Sequence, residues 1–148
     1  MESLNYLVIS EHGLAFLVKP EPEMSNLKFL QTIVGGLIER VPVNSANHQR
    51  QMHGHLLEDN MDCWVNEEGL IQNLNINLTA SIICNHMIAG TAVFAGCDNG
   101  ESTPCPDSFI DRLVSQGLQL EDKYAWSLDD VMKTIELDNE GAKDAQSL

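Results

Sequence analysis

An apolar stretch of helical spacing breaks at Gly35-Gly36 and resumes at once, in the run Leu30-Gln31-Thr32-Ile33-Val34-Gly35-Gly36-Leu37-Ile38-Glu39. Leu27, Leu30, Ile33 or Val34, and Leu37 fall at steps of three and four, which is one apolar helical face. Ser25 or Asn26 stands where a side chain can accept from the first free amides of that helix. Beyond the break the period changes to two. Leu37, Glu39 and Val41 take one side of a strand, and Ile38 and Arg40 the other. Glycine reaches positive φ without a Cβ clash, so the pair ends a helix and turns the chain into a strand. The competing use of paired glycines is a phosphate cradle. That device sits at a helix N-terminus, where free amides and the dipole favour an anion. Here the glycines follow the helix, and their spacing matches neither GxGxxG nor GxxxxGK(S/T).

The remaining elements follow the same logic. Residues 4–9 and 14–18 are short apolar runs on either side of Glu11-His12-Gly13, which reads as a hairpin. Pro20 and Pro22 then remove two backbone donors and stop the second strand. Residues 44–61 are polar and lack a period, as in a surface loop. A strand over 62–66 leads into the turn Asn66-Glu67-Glu68-Gly69, with Leu70-Ile71 starting the return. Asn77 caps a short helix over 78–84, and Thr91 to Ala95 is a buried strand closed by Gly96. After a loop to Pro106, residues 107–118 are helical, with Phe109, Ile110, Leu113 and Val114 on one face. Ser127 to Asp130 resembles a capping box and opens a last helix carrying Leu128, Val131, Met132 and Ile135. The expected fold is α+β: a small, mainly antiparallel sheet packed by one helix, with additional C-terminal helices. The expected division is a core over 1–97, a helical extension over 98–138 packed on the core, and a flexible tail over 139–148.

Composition narrows the class of function. The 148 residues are 43% apolar, enough for one core, and only 5% aromatic, so that core is mostly aliphatic. With 22 acidic and 8 basic side chains the formal charge is -14. Such a chain repels nucleic acid and anionic membrane and attracts cations or basic partners. No apolar run is long enough to span a bilayer. The start, Met-Glu-Ser, lacks the basic region of a secretory signal. The four cysteines then fit a reducing cytoplasm.

Four stretches occur in order: "LQTIVGGLIE" at 30–39, "WVNEEGL" at 64–70, "LNINLTAS" at 74–81 and "IAGTAVFAG" at 88–96. Together they resemble the domain-of-unknown-function family 3846, over residues of about 4 to 97. The resemblance implies a small α+β domain common in bacteria, phages and other mobile elements. It implies no activity, so it assigns no catalytic residue. The chain departs from the family pattern at Asn75 and Thr91 and in a longer loop over 44–61, and its helical region after 105 is expected to lie outside the match.

Three constellations could carry function. Asn73, Asn75 and Asn77 recur at period two. On a strand they would share a face and present a row of amide donors and acceptors to a polar ligand. With Asn66 and Glu67 of the neighbouring turn they form the candidate ligand site, although asparagines also serve backbone caps and turns. Adjacent Glu67 and Glu68 have the residue types of an acid–base pair, but in a turn both are solvated. His53, His55, Cys63 and His86 are ligand-competent for zinc, although no CxxC or HxxxH spacing appears. The plain reading makes the histidines part of a polar loop and Cys63 a small buried residue.

No nucleophile elbow is present. The reading favoured is a non-enzymatic accessory protein, without a cofactor, that binds a polar small molecule or a protein partner, alone or as a homo-oligomer. Two alternatives stand beside it. One is a small metal-dependent enzyme. The other is an acidic mimic of DNA acting through residues 98–148, where twelve acids face four bases.

Overall fold

The structure, a computed structural model, describes residues 4–43, 61–122 and 124–146. Among these, the strands are β1 (Tyr6–Ile9), β2 (Ala15–Val18), β3 (Ile38–Pro42), β4 (Met61–Asn66), β5 (Ala92–Asp98) and β6 (Glu101–Thr103). The helices are α1 (Asn26–Val34), α2 (Leu78–Cys84), α3 (Asp107–Ser115) and α4 (Leu128–Gln146). The strands make one antiparallel sheet in the order β2-β1-β5-β4-β3, with β6 paired to the far end of β5. The fold is α+β with additional C-terminal helices, as the sequence leads one to expect.

Both faces of the sheet are covered. Leu7, Ile9, Cys63, Val65, Ala92 and Phe94 pack against α2 and α3. Tyr6, Val8, Val18, Val93 and Ala95 pack against α1 and α4. Double burial is why β1 and β5 read as continuous apolar runs, whereas edge strand β3 leaves Glu39 and Arg40 exposed. Aromatic contacts tie the layers together. Phe94 on the sheet lies 5.7 Å from Phe109 on α3, and Tyr6 lies 4.9 Å from Phe29 on α1, centroid to centroid.

Helix α1 leaves edge strand β2 and delivers the chain to β3 on the opposite edge. Ser25 Oγ caps it by accepting from the Lys28 amide at 3.1 Å. Its buried stripe is Phe29, Leu30, Ile33 and Val34, while Leu27 and Leu37 are 54% and 59% exposed. The expected face is therefore rotated toward Phe29, because the helix docks by its widest apolar arc rather than by a fixed heptad position.

The two glycines that end α1 do different things. Gly35 takes φ +80° and its amide donates to Gln31 O at 2.9 Å, a left-handed cap. Gly36 makes room: a Cβ there would lie 2.9 Å from Asn66 Nδ2. That same Nδ2 donates to Val34 O at 3.2 Å, so β4 caps the helix from across the sheet. Gly35→Ala is expected to cost about 1 kcal/mol through left-handed strain. Gly36→Ala is expected to cost about 1–3 kcal/mol by overpacking. In urea melts the Gly36→Ala penalty should shrink in an Asn66→Ala background. Strict additivity of the two substitutions would disprove the contact.

Three local expectations are corrected. Residues 67–73 wind through turns, so no strand returns at Leu70-Ile71. Gly96 does not end β5, which continues to Asp98 and folds back through Asn99 and Gly100, both at positive φ, into β6. Helix α4 continues past Asp138 to Gln146. The outer edge of β2 is also covered. Leu120 and Trp126 bridge to Ala15 and Val18.

Candidate functional site

The asparagines at 73, 75 and 77 do not form a row. Asn73 sits in a turn at φ +58°, and between it and α2 only Ile76 pairs with another strand-like residue, Ala89. Asn75 is exposed and its carbonyl accepts from the Gly90 amide at 2.8 Å. Asn77 is fully buried and fully committed. Its Nδ2 donates to Ile9 O at 3.0 Å and to Gly90 O at 2.9 Å, and its Oδ1 accepts from the Ala80 amide at 3.0 Å. It clips the end of β1 to the segment that enters β5 while capping α2.

Asn66 is likewise buried and spent on backbone: besides Val34 O, its Oδ1 accepts from the Glu68 amide at 2.8 Å. Glu67 is exposed, and Asn66, Glu67 and His86 line one cleft of about 230 Å³ beside β3.

His53 and His55 of the candidate metal set lie outside the described residues. Cys63 is buried in the middle of β4 and His86 is exposed beyond α2. Among the described residues no three His, Cys, Asp or Glu side chains gather as a metal site would require. Burial pushes the Cys63 thiol well up, with Cys84 beside it adding to the effect. Burial, with the charge of Asp107, also pushes up the thiol of Cys105.

Thiols held up in this way remain protonated and unreactive. Half-buried Cys97 should therefore alkylate first in the native protein, with Cys63 and Cys105 protected until unfolding. Mass mapping of maleimide adducts reads the order, and early labelling of Cys63 would contradict it. A thiol whose pKa is raised by folding supports the native state up to the unfolded thiol pKa of about 8.5, and that support is lost at higher pH.

The site that the geometry builds best lies elsewhere, over the start of β5. Strand alternation sets Thr91 on the same face as Val93, beneath α1 and α4. There it lies at the floor of a recess of about 470 Å³. Gly90 beside it takes φ +85°, where an L side chain is strained, and a Cβ there would come within 2.9 Å of Leu74 Cδ1, which would have to shift.

Ile33 and Val34 from α1 and Ile135 from α4 give the recess an apolar wall. Its rim is acidic, with Glu11 from the β1–β2 turn and Glu136 and Glu140 one turn apart on α4. Thr91 is 8% exposed, and its hydroxyl makes no hydrogen bond to any described residue. Asn139 also lines the recess, and its Oδ1 is buried without a partner among the described residues. The arrangement offers acceptors above an apolar wall, with no lysine or arginine in the lining.

Sequence reasoning missed Thr91 and α4 as site elements. The available signal was a polar residue opening an otherwise apolar strand, and an apolar helical stripe that turns to Asn139 and Glu140 after Ile135.

Fold and recess together define an antiparallel α+β domain with a polar-floored recess at the mouth of its central strand. The chain belongs to the family described as Domain of unknown function (DUF3846), whose profile matches residues 8–117. The match runs beyond residue 97 to include α3, whose Phe109, Ile110 and Leu113 complete one side of the core. No curated protein and no solved structure matches the chain. Among the described residues no helix is long and apolar enough to cross a membrane.

Proposed function

We propose that this protein is a small accessory binding protein that holds a polar small molecule or a side chain of a protein partner in the recess over Thr91. One observation carries the reading: Asn139 Oδ1, buried and without a partner among the described residues, and Thr91, 8% exposed, line the same recess of about 470 Å³. A polar group left unsatisfied in a folded interior costs free energy, so its partner is expected to come from outside. A concave, half-apolar recess with a few convergent polar groups is the usual form of a ligand site. The unpaired cysteines favour a reducing cytoplasm as the place of action.

The test is a fragment screen observed by amide chemical shifts of the full chain. Neutral and charged fragments that move the Gly90 and Thr91 signals support the reading. A screen in which every perturbation falls elsewhere removes it.

A further inference from the structure

The inference rests on the binding reading above and names the chemical class of the ligand. We propose that the recess over Thr91 takes an alkyl cation: an ammonium or guanidinium group on a short aliphatic stem. The stem is carried either by a free amine or by a lysine or arginine side chain of a peptide.

The lining presents acceptors. The carboxylates of Glu11, Glu136 and Glu140, the Asn139 Oδ1 and the Thr91 hydroxyl surround the space, and no lysine or arginine of the lining opposes them. Ammonium and guanidinium groups are the donor-rich cations that satisfy such a set. Glu136 and Glu140 are like charges four apart on α4, a spacing that destabilises a helix unless a cation lies between them. The Glu11 side chain is only 12% exposed, and among the described residues its ion-pair partner is His12 at 3.6 Å. A carboxylate withdrawn from water at that distance from its partner has acceptor capacity left for a ligand.

Two independent observations distinguish the recess from a merely acidic surface. The Asn139 Oδ1 is a buried acceptor without a partner among the described residues, Thr91 is a polar residue only 8% exposed, and both line this space. Ile33, Val34 and Ile135 supply the apolar surface along which an alkyl stem packs while its charged head meets the rim. The formal charge of -14 draws cations toward the molecule and disfavours anionic ligands.

The experiment titrates the full chain with agmatine, spermidine and a short capped arginine peptide, and with butylurea as a neutral match for agmatine. Amide shifts at Gly90 and Thr91 are followed at fixed physiological salt. The cations are expected to move these signals saturably, and butylurea is not. Glu136→Gln combined with Glu140→Gln should weaken agmatine binding about tenfold. Thr91→Val, close in shape, should weaken it about fivefold. Glu136 and Glu140 are exposed, so the double variant keeps the fold. Tighter binding of agmatine than of the peptide assigns the free amine, and the reverse assigns a protein side chain.

Butylurea binding as tightly as agmatine, or a double variant with unchanged affinity, overturns the cationic class and leaves the binding reading standing. Silence at Gly90 and Thr91 with these probes and with the neutral fragments removes both.

Discussion

Asn77→Ala lowers the unfolding free energy by about 3 kcal/mol or more, the largest loss expected from any single polar substitution in this chain. The reason is local. The side chain is fully buried, and its three hydrogen bonds all go to backbone: Ile9 O, Gly90 O and the Ala80 amide. Removing it strands two carbonyls and one amide where water does not reach, at about 1–3 kcal/mol for each group left unsatisfied.

Asn77→Asp separates the two halves of the residue. It keeps the acceptor that caps α2 but loses both donations and sets a carboxylate against two carbonyl oxygens. At an exposed N-cap, aspartate replaces asparagine without loss. Here it is expected to be at least as damaging as alanine. A urea titration placing Asn77→Asp within about 0.5 kcal/mol of the parent would show that the clip between β1 and the entry to β5 contributes nothing. Because Gly90 precedes Thr91, the same variant should also loosen the floor of the recess, broadening the Thr91 amide signal in the folded fraction.

Phe94→Ala is the second large effect, a loss of about 3–5 kcal/mol. Phe94 is fully buried on the central strand, between Leu7 of β1 and Cys63 of β4 in the sheet register. Its ring meets Phe109 of α3 at 5.7 Å. Truncation opens a cavity bounded by a sheet and a helix that cannot both collapse into it, which places the cost at the high end of the range. Phe94→Leu, which keeps most of the volume, should cost about 1.5 kcal/mol or less. Thermal unfolding of the two variants reads the difference. Near-equal midpoints would mean that α3 does not seal this side of the core.

Much of the architecture was legible along the chain because it is written in local chemistry. The hairpin at Glu11-His12-Gly13, the Ser25 cap, the Gly35 stop and the Asn77 cap each depend on a few neighbouring residues, and each stands where the sequence puts it. Elements that depend on a distant partner were harder. Strand β6 has three residues and exists only because the end of β5 offers it a ladder. Leu70 and Ile71 have the composition of a strand but find no neighbour to pair with among the described residues, and remain exposed.

The candidate site was less legible than the fold. A period of two among asparagines implies a shared face only if the segment is extended, and Asn73 at positive φ breaks that condition. Two of the five residues in the predicted ligand set, Asn66 and Asn77, turn out to hold backbone together. Asparagine is suited equally to binding a ligand and to satisfying buried carbonyls, and sequence does not separate the uses.

The sequence alone determined most of the element types, the mostly aliphatic core and the acidic balance, because side-chain period, glycine freedom and formal charge are properties of neighbouring residues. Only the tertiary structure decided that Gly36 yields space to an amide on β4, and that residues as distant as Glu11, Thr91 and Glu140 line one recess. Those facts depend on which surfaces meet when the sheet closes beneath α1 and α4. That choice is made by the whole core at once and by no stretch of residues within it.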